Sequence, residues 1–448
     1  MFLLMFTGMV AWAQEGTPDP NFYIYLCFGQ SNMEGQAAIE DCDLTPDVRF
    51  QMMSTLDCGT RKQGEWYRAV PPLARCTTNL CPADYFGRTM VANLDEGKRV
   101  GVVVVAIGGI AMDLFDPDGW QANVAAMTEN WQISAVQAYG GNPLGRLIEC
   151  AKKAQESGVI KGILLHQGET DAYNSTWLNK VKKVYEYMLG ELNLNAEDVP
   201  LIAGEVGGAD QNGICSGANN TIDRLPQTIP TAHVVSSVGC TLMNDNLHFN
   251  SAGQRKLGRR YAKEALSVLG IDADIDEDEV PEADVTEPVD MTNRFTYCWN
   301  NTESVTADSN GTLIFNAVQW GGLACWLGGA DWSAYEKLVF EFAEPTTVTT
   351  QILVMTNNAG NISSQQGPGA DKIELTLSGD VSDVSQVALQ TSDPATLKIS
   401  KIYLLRKATG IQTITNDQKE NVIFDLSGRR VNNPQKGAYI VNGKVVLY

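Results

Sequence analysis

Residues 22–33 read Phe-Tyr-Ile-Tyr-Leu-Cys-Phe-Gly-Gln-Ser-Asn-Met, an apolar run of strand length that ends in a glycine and a serine. A short apolar run bounded by a turn residue predicts a buried strand, here over 22–28. Ligands of open α/β sheets bind outside the carboxyl ends of the strands. We therefore expect Ser31, which follows this strand, to lie at the ligand-binding edge of a sheet.

The apolar runs that follow alternate with helical patterns, which predicts a parallel sheet covered by helices on both faces. Further strands are predicted at 100–107, 162–165, 199–204 and 232–238. Helices are predicted at 143–157, 176–192 and 251–269. The fold class of this region is therefore α/β.

Two more polar strings stand in settings that suit an active site. His166-Gln167-Gly168-Glu169-Thr170-Asp171 follows a predicted strand, and Asp245-Asn246-Leu247-His248 precedes a predicted helix. Each string alone is a weak signal, but their order along the chain and their positions at the ends of elements make them specific together. Like Ser31, Glu169 follows the carboxyl end of a strand.

Only three histidines are available as a general base. His248 lies in a polar loop, shortly before Ser251 and Gln254, which have capping-box spacing at the start of a helix. His233 lies within a strand-like run, where a structural role is favoured. His166 ends an apolar run, and we expect it to support the site from behind. His248 is therefore the predicted base.

The chemistry follows from these residue types. A serine hydroxyl is a poor nucleophile until a neutral imidazole takes its proton, and the imidazole needs a carboxylate to orient it. Asp245 and Glu169 both compete for that orienting role, and Asp245 is slightly favoured. The alternative for Glu169 is a structural carboxylate that accepts hydrogen bonds from nearby N–H groups.

The three strings resemble the SGNH-hydrolase superfamily and, within it, the carbohydrate esterase family six and sialate O-acetylesterase group. The resemblance covers about residues 21–270 and implies a three-layer, flavodoxin-like parallel sheet. It places Ser31 on the nucleophile and Asp245 with His248 on the last conserved block of the family. Asn32 and His166 are expected to support them.

The same resemblance implies an oxyanion hole formed by the Ser31 N–H, the Gly109 N–H and the Gln167 side chain. Whether Gly108 or Gly109 is the glycine donor stays open. Gln30 stands where the superfamily more often has Asp, and Gln167 where most members have Asn. Both departures favour the carbohydrate esterase group.

Composition and charge narrow the function further. The chain has 448 residues and a formal net charge of −20, so two or three domains are expected and nucleic acid or an anionic membrane surface is disfavoured as a partner. Residues 271–290 contain ten Asp or Glu and no Lys or Arg. We predict an extended acidic linker there, with few contacts between the bodies on either side.

The ends of the chain suggest export. Residues 1–13 form an apolar run that resembles a signal peptide, although no Lys or Arg precedes its core. Residues 411–448 resemble the C-terminal sorting tails of secreted Bacteroidetes proteins. We expect a secreted, periplasmic or cell-surface bacterial protein, with surface attachment possible and no other run of the ~18 apolar residues that a membrane span needs.

Cysteine usage agrees with an oxidising compartment, since the chain has ten Cys. Plausible disulfides are Cys76 with Cys81, Cys215 with Cys240, and Cys298 with Cys325. None of these spacings is typical of a zinc site, and no metal or other cofactor is predicted.

Two regions outside the main motifs contain aromatic residues that could contact a substrate or a sugar. Residues 36–83 form an irregular insertion whose Trp66 and Tyr67 either line a substrate cleft or pack on the surface. Short strand-like runs over 291–407 predict a β-sandwich accessory domain. Its Trp320, Trp326 and Trp332 suit sugar stacking, but core packing is the preferred interpretation.

Together these features predict a secreted serine esterase that hydrolyses O-acetyl esters on glycans through an acetyl-enzyme intermediate. A sialate O-acetylesterase and a lipase- or thioesterase-like SGNH hydrolase are the alternatives within the same class. A glycan-binding protein on an inactive esterase scaffold is the alternative of another class. The oligomeric state stays open.

Overall fold

The structure, a computed structural model, describes residues 17–280, 288–308 and 311–407, together with the strands Ile423–Asp425, Ala438–Val441 and Lys444–Leu447. The predicted signal peptide at 1–13 and most of the tail at 411–448 lie outside the described residues. The described residues up to Arg406 form one compact unit, and the three C-terminal strands belong to a second.

Within residues 17–280, seven strands form one sheet in the order β3-β2-β4-β1-β5-β6-β7. The pairs are parallel except for the β2–β3 hairpin. The strands are β1 (Phe22–Gly29), β2 (Phe50–Met53), β3 (Trp66–Arg68), β4 (Arg99–Ala106), β5 (Val159–His166), β6 (Leu201–Gly204) and β7 (Ala232–Val235).

Helices cover both faces of this sheet, as a parallel sheet requires. They are α1 (Ser31–Glu34), α2 (Pro82–Asn93), α3 (Trp120–Ala125), α4 (Asn130–Ala138), α5 (Pro143–Gln155), α6 (Trp177–Leu192), α7 (Asn219–Ile222), α8 (Leu225–Thr228) and α9 (Ser251–Val268). One apolar core lies between the sheet and α5 with α6, and another between the sheet and α2 with α9. The three-layer α/β fold predicted for this region is confirmed.

The helix α9 begins at Ser251, as predicted, but its N-cap lies one residue before the predicted capping box. Asn250 is the N-cap, and its side chain accepts a hydrogen bond from the Gly253 N–H at 2.9 Å. Ser251 instead donates its hydroxyl to the Ala38 carbonyl, and Gln254 donates to Asn32. The two residues taken for a capping box therefore attach α9 to the loops that follow β1.

The insertion between β1 and α2 is more regular than its sequence indicates, because it contributes β2 and β3 to the sheet. Trp66 lies on β3 and packs edge-on against Phe22, with the ring centroids 4.7 Å apart. Phe22 opens β1, so Trp66 lies at the amino end of the strands and away from Ser31. The Tyr67 hydroxyl accepts a hydrogen bond from the Lys62 N–H. Surface packing, the blander of the two interpretations, therefore holds for both residues.

Residues 288–407 form the predicted β-sandwich. Its described strands make one sheet of six, ordered β10-β11-β18-β13-β16 with β8 on β18, and one of five, ordered β15-β14-β17-β12-β9. The strands are β8 (Val289–Asp290), β9 (Tyr297–Cys298), β10 (Ser304–Ala307), β11 (Leu313–Ala317), β12 (Leu323–Ala330), β13 (Tyr335–Phe342), β14 (Thr350–Thr356), β15 (Ile362–Gln366), β16 (Lys372–Thr376), β17 (Val384–Thr391) and β18 (Ala395–Arg406).

The three tryptophans of the sandwich differ in their exposure to solvent. Trp332 is buried in the core between the two sheets, as the packing interpretation expects. Trp320 and Trp326 are exposed, so core packing is wrong for these two.

The insertion contacts the sandwich, which the predicted separation of the two bodies did not anticipate. Asp41 accepts hydrogen bonds from the Tyr335 hydroxyl and from Arg406, the latter at 2.9 Å. Leu44 packs against the sandwich core, and Thr60 bonds to Asn293. The expectation of few contacts is therefore wrong, because the insertion reaches across to the sandwich independently of the acidic stretch.

The described half of the acidic stretch also packs. Glu277 pairs with Arg260 of α9 at 2.7 Å, and Asp278 pairs with Lys256 at 2.8 Å. Ile271 and Ile275 are partly buried against the core under α9. Self-repulsion was the reason to expect an extended linker, but the basic face of α9 neutralises these carboxylates.

One disulfide, Cys58–Cys76, is present among the described residues. All three predicted pairings are wrong. Cys76 is bonded to Cys58, and the other five cysteines of those pairs are free thiols. Cys81 and Cys240 are buried in the core under α2 and α9.

The C-terminal strands β19 (Ile423–Asp425), β20 (Ala438–Val441) and β21 (Lys444–Leu447) form an antiparallel sheet of their own. No helix in the described parts of the chain is long and apolar enough to cross a membrane.

Candidate active site

Ser31 owes its position to the end of β1. Gly29 pairs with His166 of β5, and a Cβ at Gly29 would lie 2.0 Å from the His166 carbonyl oxygen. Only glycine allows this approach. Gln30 then donates its N–H to the same carbonyl at 3.0 Å, and the chain turns into α1. The glycine of the motif therefore fixes where Ser31 leaves the sheet.

The structure brings Ser31, His248 and Asp245 into one hydrogen-bonded line. His248 Nε2 lies 2.9 Å from Ser31 Oγ, and His248 Nδ1 lies 2.7 Å from Asp245 Oδ2. Asp245 Oδ1 also accepts the N–H groups of Leu247 and His248 at 2.9 and 3.0 Å. One carboxylate oxygen thus holds its own turn, and the other holds the imidazole.

These contacts keep Asp245 ionised. Burial raises the pKa of Asp245, but the N–H groups of His248 and Leu247 and the imidazole of His248 outweigh it and lower the pKa below its usual value. An ionised carboxylate at Nδ1 favours the tautomer that leaves Nε2 free to take a proton from Ser31.

Glu169, the competing carboxylate, contacts Asn32. Its Oε1 accepts the Asn32 side-chain amide at 2.7 Å and lies 3.7 Å from His166 Nε2. Asn32 also accepts the Phe249 N–H at 3.0 Å, directly after the base. Glu169 therefore acts on the His248 loop through Asn32, which is the supporting position expected for Asn32.

Glu169 is buried but remains charged. Burial raises the pKa of Glu169, whereas the nearby His166 imidazole and the amide of Asn32 lower it, with a net downward shift. His166 is itself fixed from behind, since its Nδ1 lies 3.3 Å from the Tyr261 hydroxyl. Glu169 and His166 therefore form a buried polar pair beneath the site.

Gln167 is not where the family resemblance placed it. Its side-chain nitrogen donates inward to Asp171, Gln30 and Ile110 at 2.7, 3.2 and 3.3 Å, and its oxygen accepts from Trp177. Its side chain is 1% exposed and does not line the cavity at Ser31. Because every polar atom of the amide is used internally, the predicted oxyanion role is not supported.

Gln30 and Gln167, the two residues that depart from the commoner superfamily motifs, contact each other. Gln30 Oε1 accepts the Gln167 amide at 3.2 Å and the Thr170 N–H at 3.3 Å. The two glutamines thus tie the loop after β1 to the loop after β5. Sequence reasoning named each departure separately and missed that they are partners.

Three backbone N–H groups at the cavity are unpaired. Within the described chain, the N–H groups of Ser31, Gly108 and Gly109 have no hydrogen-bond partner. Gly109 has φ of +64°, a conformation that favours glycine. A Cβ at Gly108 would lie 3.1 Å from Glu34 Oε2, a tight contact in the wall of the cavity. Both glycines line the cavity, so the choice between Gly108 and Gly109 as the donor stays open.

The site opens into a cavity of about 530 Å³, a size that suits one or two sugar rings. Its wall contains Glu34 and Arg75, which form a partly buried ion pair, and the exposed side chains of Trp131 and Ile214. Sequence reasoning missed all four. Glu34 follows the first motif by a single residue and had a local signal, whereas Arg75, Trp131 and Ile214 come from distant loops.

A metal site has no support in the part of the chain that is described, since no group of three or more His, Cys, Asp or Glu has the geometry to hold an ion.

His233, predicted to be structural, lies on β7 and pairs with Glu264 of α9 at 2.7 Å.

Comparison with known proteins adds the following. The profile of a family described as carbohydrate esterase, sialic acid-specific acetylesterase matches residues 21–267. A protein from Arabidopsis thaliana is 20% identical, with a TM-score of 0.42, over 56% of this chain and 99% of its own. A carbohydrate acetylesterase from Xanthomonas citri is 14% identical, with a TM-score of 0.39, over 84% of this chain and 78% of its own. NanS is 14% identical, with a TM-score of 0.42, over 57% of this chain and 99% of its own.

Proposed function

The chain belongs to the carbohydrate esterase, sialic acid-specific acetylesterase family, and from that premise we propose that it removes O-acetyl groups from glycans with Ser31 as the nucleophile. The observation that carries the proposal is the line from Ser31 Oγ through His248 to Asp245, with both links under 3 Å, at the wall of a cavity that can hold a sugar.

In the first half of the reaction, Ser31 Oγ attacks the acetyl carbonyl carbon while His248 Nε2 takes the hydroxyl proton. The carbonyl oxygen becomes an oxyanion, which the N–H groups of Ser31 and of Gly108 or Gly109 stabilise. When the intermediate collapses, the C–O bond to the sugar breaks. His248 returns the proton to the sugar oxygen, and the acetyl group stays on Ser31.

In the second half, a water molecule takes the place of the sugar hydroxyl. His248 removes a proton from the water, which attacks the acetyl-enzyme carbonyl, and the same N–H groups stabilise the second oxyanion. Collapse breaks the bond to Ser31 Oγ, which regains a proton from His248. Acetate leaves, and the enzyme returns to its starting state.

The two carboxylates have separate tasks in this scheme. Asp245 orients His248 and stabilises the imidazolium that forms, because it is the carboxylate bonded to Nδ1. Glu169 holds Asn32, which in turn fixes the chain at Phe249 next to the base. Glu169 is thus a positioning residue.

Acetylated xylan, another acetylated plant glycan and O-acetylated sialic acid all remain candidate substrates. A lipase- or thioesterase-like specificity is less suited to a wall that contains the Glu34–Arg75 pair and further polar loops. The rival role, glycan binding on an inactive scaffold, does not account for a complete nucleophile, base and orienting carboxylate. Export through residues 1–13, cell-surface retention through residues 411–448 and a domain boundary within residues 271–290 belong to the same proposal.

The test is acetate release from acetylated xylan and from O-acetylated sialic acid, with 4-nitrophenyl acetate as the small ester. The wild-type chain should release acetate from at least one glycan, and Ser31→Ala should not. Ser267→Ala, an exposed serine on α9, is the matched control and should behave as wild type. Acetate release by Ser31→Ala at more than a tenth of the wild-type rate would overturn the assignment.

A further inference from the structure

The five-stranded sheet of the sandwich has one face in the core and one face outside. Side chains alternate between the faces of a strand. On β12, Leu323 and Cys325 belong to the core, so Ala324 and Trp326 lie on the outer face. On β17, Val387 and Leu389 belong to the core, and the residues between and beside them lie outside.

Two exposed aromatic side chains lie on this outer face, next to buried alanines. Trp326 is 64% exposed, and Tyr297, on the neighbouring strand β9, is 47% exposed. Tyr297 pairs with Ala324, which in turn pairs with Ala388 of β17, and both alanines are fully buried. Because the two alanines are covered, the two rings form the accessible part of this face. We call Tyr297, Ala324, Trp326, Gln386 and Ala388 the aromatic face.

Exposed aromatic rings in this number require an explanation. A buried ring contributes to folding, whereas an exposed Trp or Tyr costs hydrophobic free energy unless something covers it. Such rings are rigid and amphipathic, so they lose little entropy when a ligand packs on them. Here they lie on a regular sheet, where their spacing is fixed by the register.

Side-chain amides complete the surface. Gln386 lies directly opposite Trp326 in the register, and it is only 5% exposed. Among the described residues, its side-chain nitrogen has no acceptor. An unpaired buried donor is unfavourable until a partner is supplied. Next along β17, Gln390 pairs with Gln351 of β14, so a row of amides runs beside the aromatic rings.

The outer face is also uncharged, in a chain whose formal net charge is −20. Neither the aromatic face nor the neighbouring positions Leu353, Met355 and Gln351 on β14 contain Asp, Glu, Lys, Arg or His. A nucleic acid, a polyanionic glycan or a basic protein would find no complementary charge here. Apolar rings with hydrogen-bonding amides instead match a sugar chain, whose ring faces are apolar and whose edges carry hydroxyl groups.

We propose that the aromatic face binds a neutral polysaccharide, with sugar rings stacked on Trp326 and Tyr297 and a sugar hydroxyl accepting the hydrogen bond that Gln386 cannot make within the protein. This inference does not rest on the esterase activity. A chain held there would stay near the enzyme, and the local concentration of further ester groups would rise accordingly.

The test is native affinity electrophoresis of the full chain in gels that contain neutral xylan, neutral β-glucan or galactomannan, with polygalacturonate as the anionic comparison. At least one neutral polysaccharide should retard the wild-type protein, and polygalacturonate should not. Trp326→Ala should weaken that binding by at least about tenfold, as loss of a central aromatic contact does. Tyr297→Ala should weaken it by a smaller factor.

Gln386→Leu keeps the volume of the side chain and removes the amide, so it should weaken binding about threefold or more. Tyr187→Ala, which removes an exposed tyrosine from α6, is the matched control and should bind as wild type. A wild-type thermal unfolding transition shows that each variant is folded.

Three results would overturn the proposal. One is that no neutral polysaccharide retards the wild-type protein. Another is retardation that survives in a folded Trp326→Ala, Tyr297→Ala double variant, because the binding would then lie elsewhere. The third is equal retardation by polygalacturonate, which would point to a charge-driven contact.

Discussion

The edge of the parallel sheet and the aromatic face of the sandwich use polar and aromatic groups in opposite ways. At the edge, Ser31, His248 and Asp245 each have a partner within 3 Å, and Asn32 and Glu169 fix the loop behind them. On the aromatic face, the rings of Trp326 and Tyr297 are exposed. Bond making needs groups that are already oriented, whereas binding a flexible chain needs accessible surface. Single substitutions should therefore have far larger effects at the edge.

The largest effect is expected from Ser31→Ala and His248→Ala. Each should lower kcat on 4-nitrophenyl acetate by at least about 10³-fold, and the double variant should be no slower than the singles, since the two residues act as one unit. Steady-state kinetics on the small ester would measure this. If the losses of the two single variants multiply in the double variant, the two residues do not share a proton. The active site would then lack the pre-oriented groups that distinguish it from the aromatic face.

A smaller loss should separate the two carboxylates. Asp245→Asn should lower kcat by about 10²- to 10⁴-fold, because the amide favours the wrong imidazole tautomer. Glu169→Gln should cost only about tenfold, since it acts through Asn32. Rates near wild type for both variants, measured on folded protein, would refute the triad as drawn.

The contact between the insertion and the sandwich tests whether the two regions are independent. Tyr335→Phe removes a hydroxyl that donates to Asp41, so the free energy of unfolding should fall by about 1–2 kcal/mol. Denaturant titration would measure it, with Tyr187→Phe as a control that should not change stability. An unchanged midpoint in Tyr335→Phe would restore the picture of two separate bodies.

Low pH should destabilise the folded protein through protonation of Glu169. Its pKa is lower in the folded protein than the ordinary value of 4.5, so its carboxylate adds stability that is fully present above the unfolded pKa. That contribution is lost as the pH falls through the folded pKa. Thermal unfolding from pH 6 down to pH 3 should therefore show a smaller loss of Tm in Glu169→Gln than in wild type. Parallel curves would indicate that Glu169 is not held as a charged group.

The smallest effect is expected from the aromatic face. Trp326→Ala should leave kcat/KM for 4-nitrophenyl acetate within about twofold of wild type, because the ring is exposed and no residue of the face lines the cavity at Ser31. Activity on a small ester that fell tenfold in this variant would mean that the sandwich takes part in the chemistry.

The sequence predicted the parts of this molecule that rest on local pattern. The apolar runs of β1, β4 and β5 and the polar strings after them have short-range signals, and the structure places them together at one sheet edge. The strand β2 was missed, because four residues within a polar, irregular insertion carry little periodicity.

Other features depend on contacts between distant residues, which a single sequence does not reveal. Gln167 has the family position of an oxyanion donor, yet Asp171 and Trp177 surround its amide and turn it inward. The acidic stretch was expected to stay extended because its own charges repel, but Arg260 and Lys256 lie on the helix before it. Both errors came from judging a segment without its partner.

Ser31 and His248 are 217 residues apart in the chain, although their side chains meet at 2.9 Å. During synthesis the nucleophile leaves the ribosome long before the base, since chains emerge from the N-terminus at about 5–20 residues per second. Their contact requires the positions that the end of β1 and the loop before α9 hold in the folded domain. A nascent or misassembled chain without that contact therefore carries an unactivated serine. Recovery of ester hydrolysis after dilution from denaturant should accordingly report complete assembly of this domain.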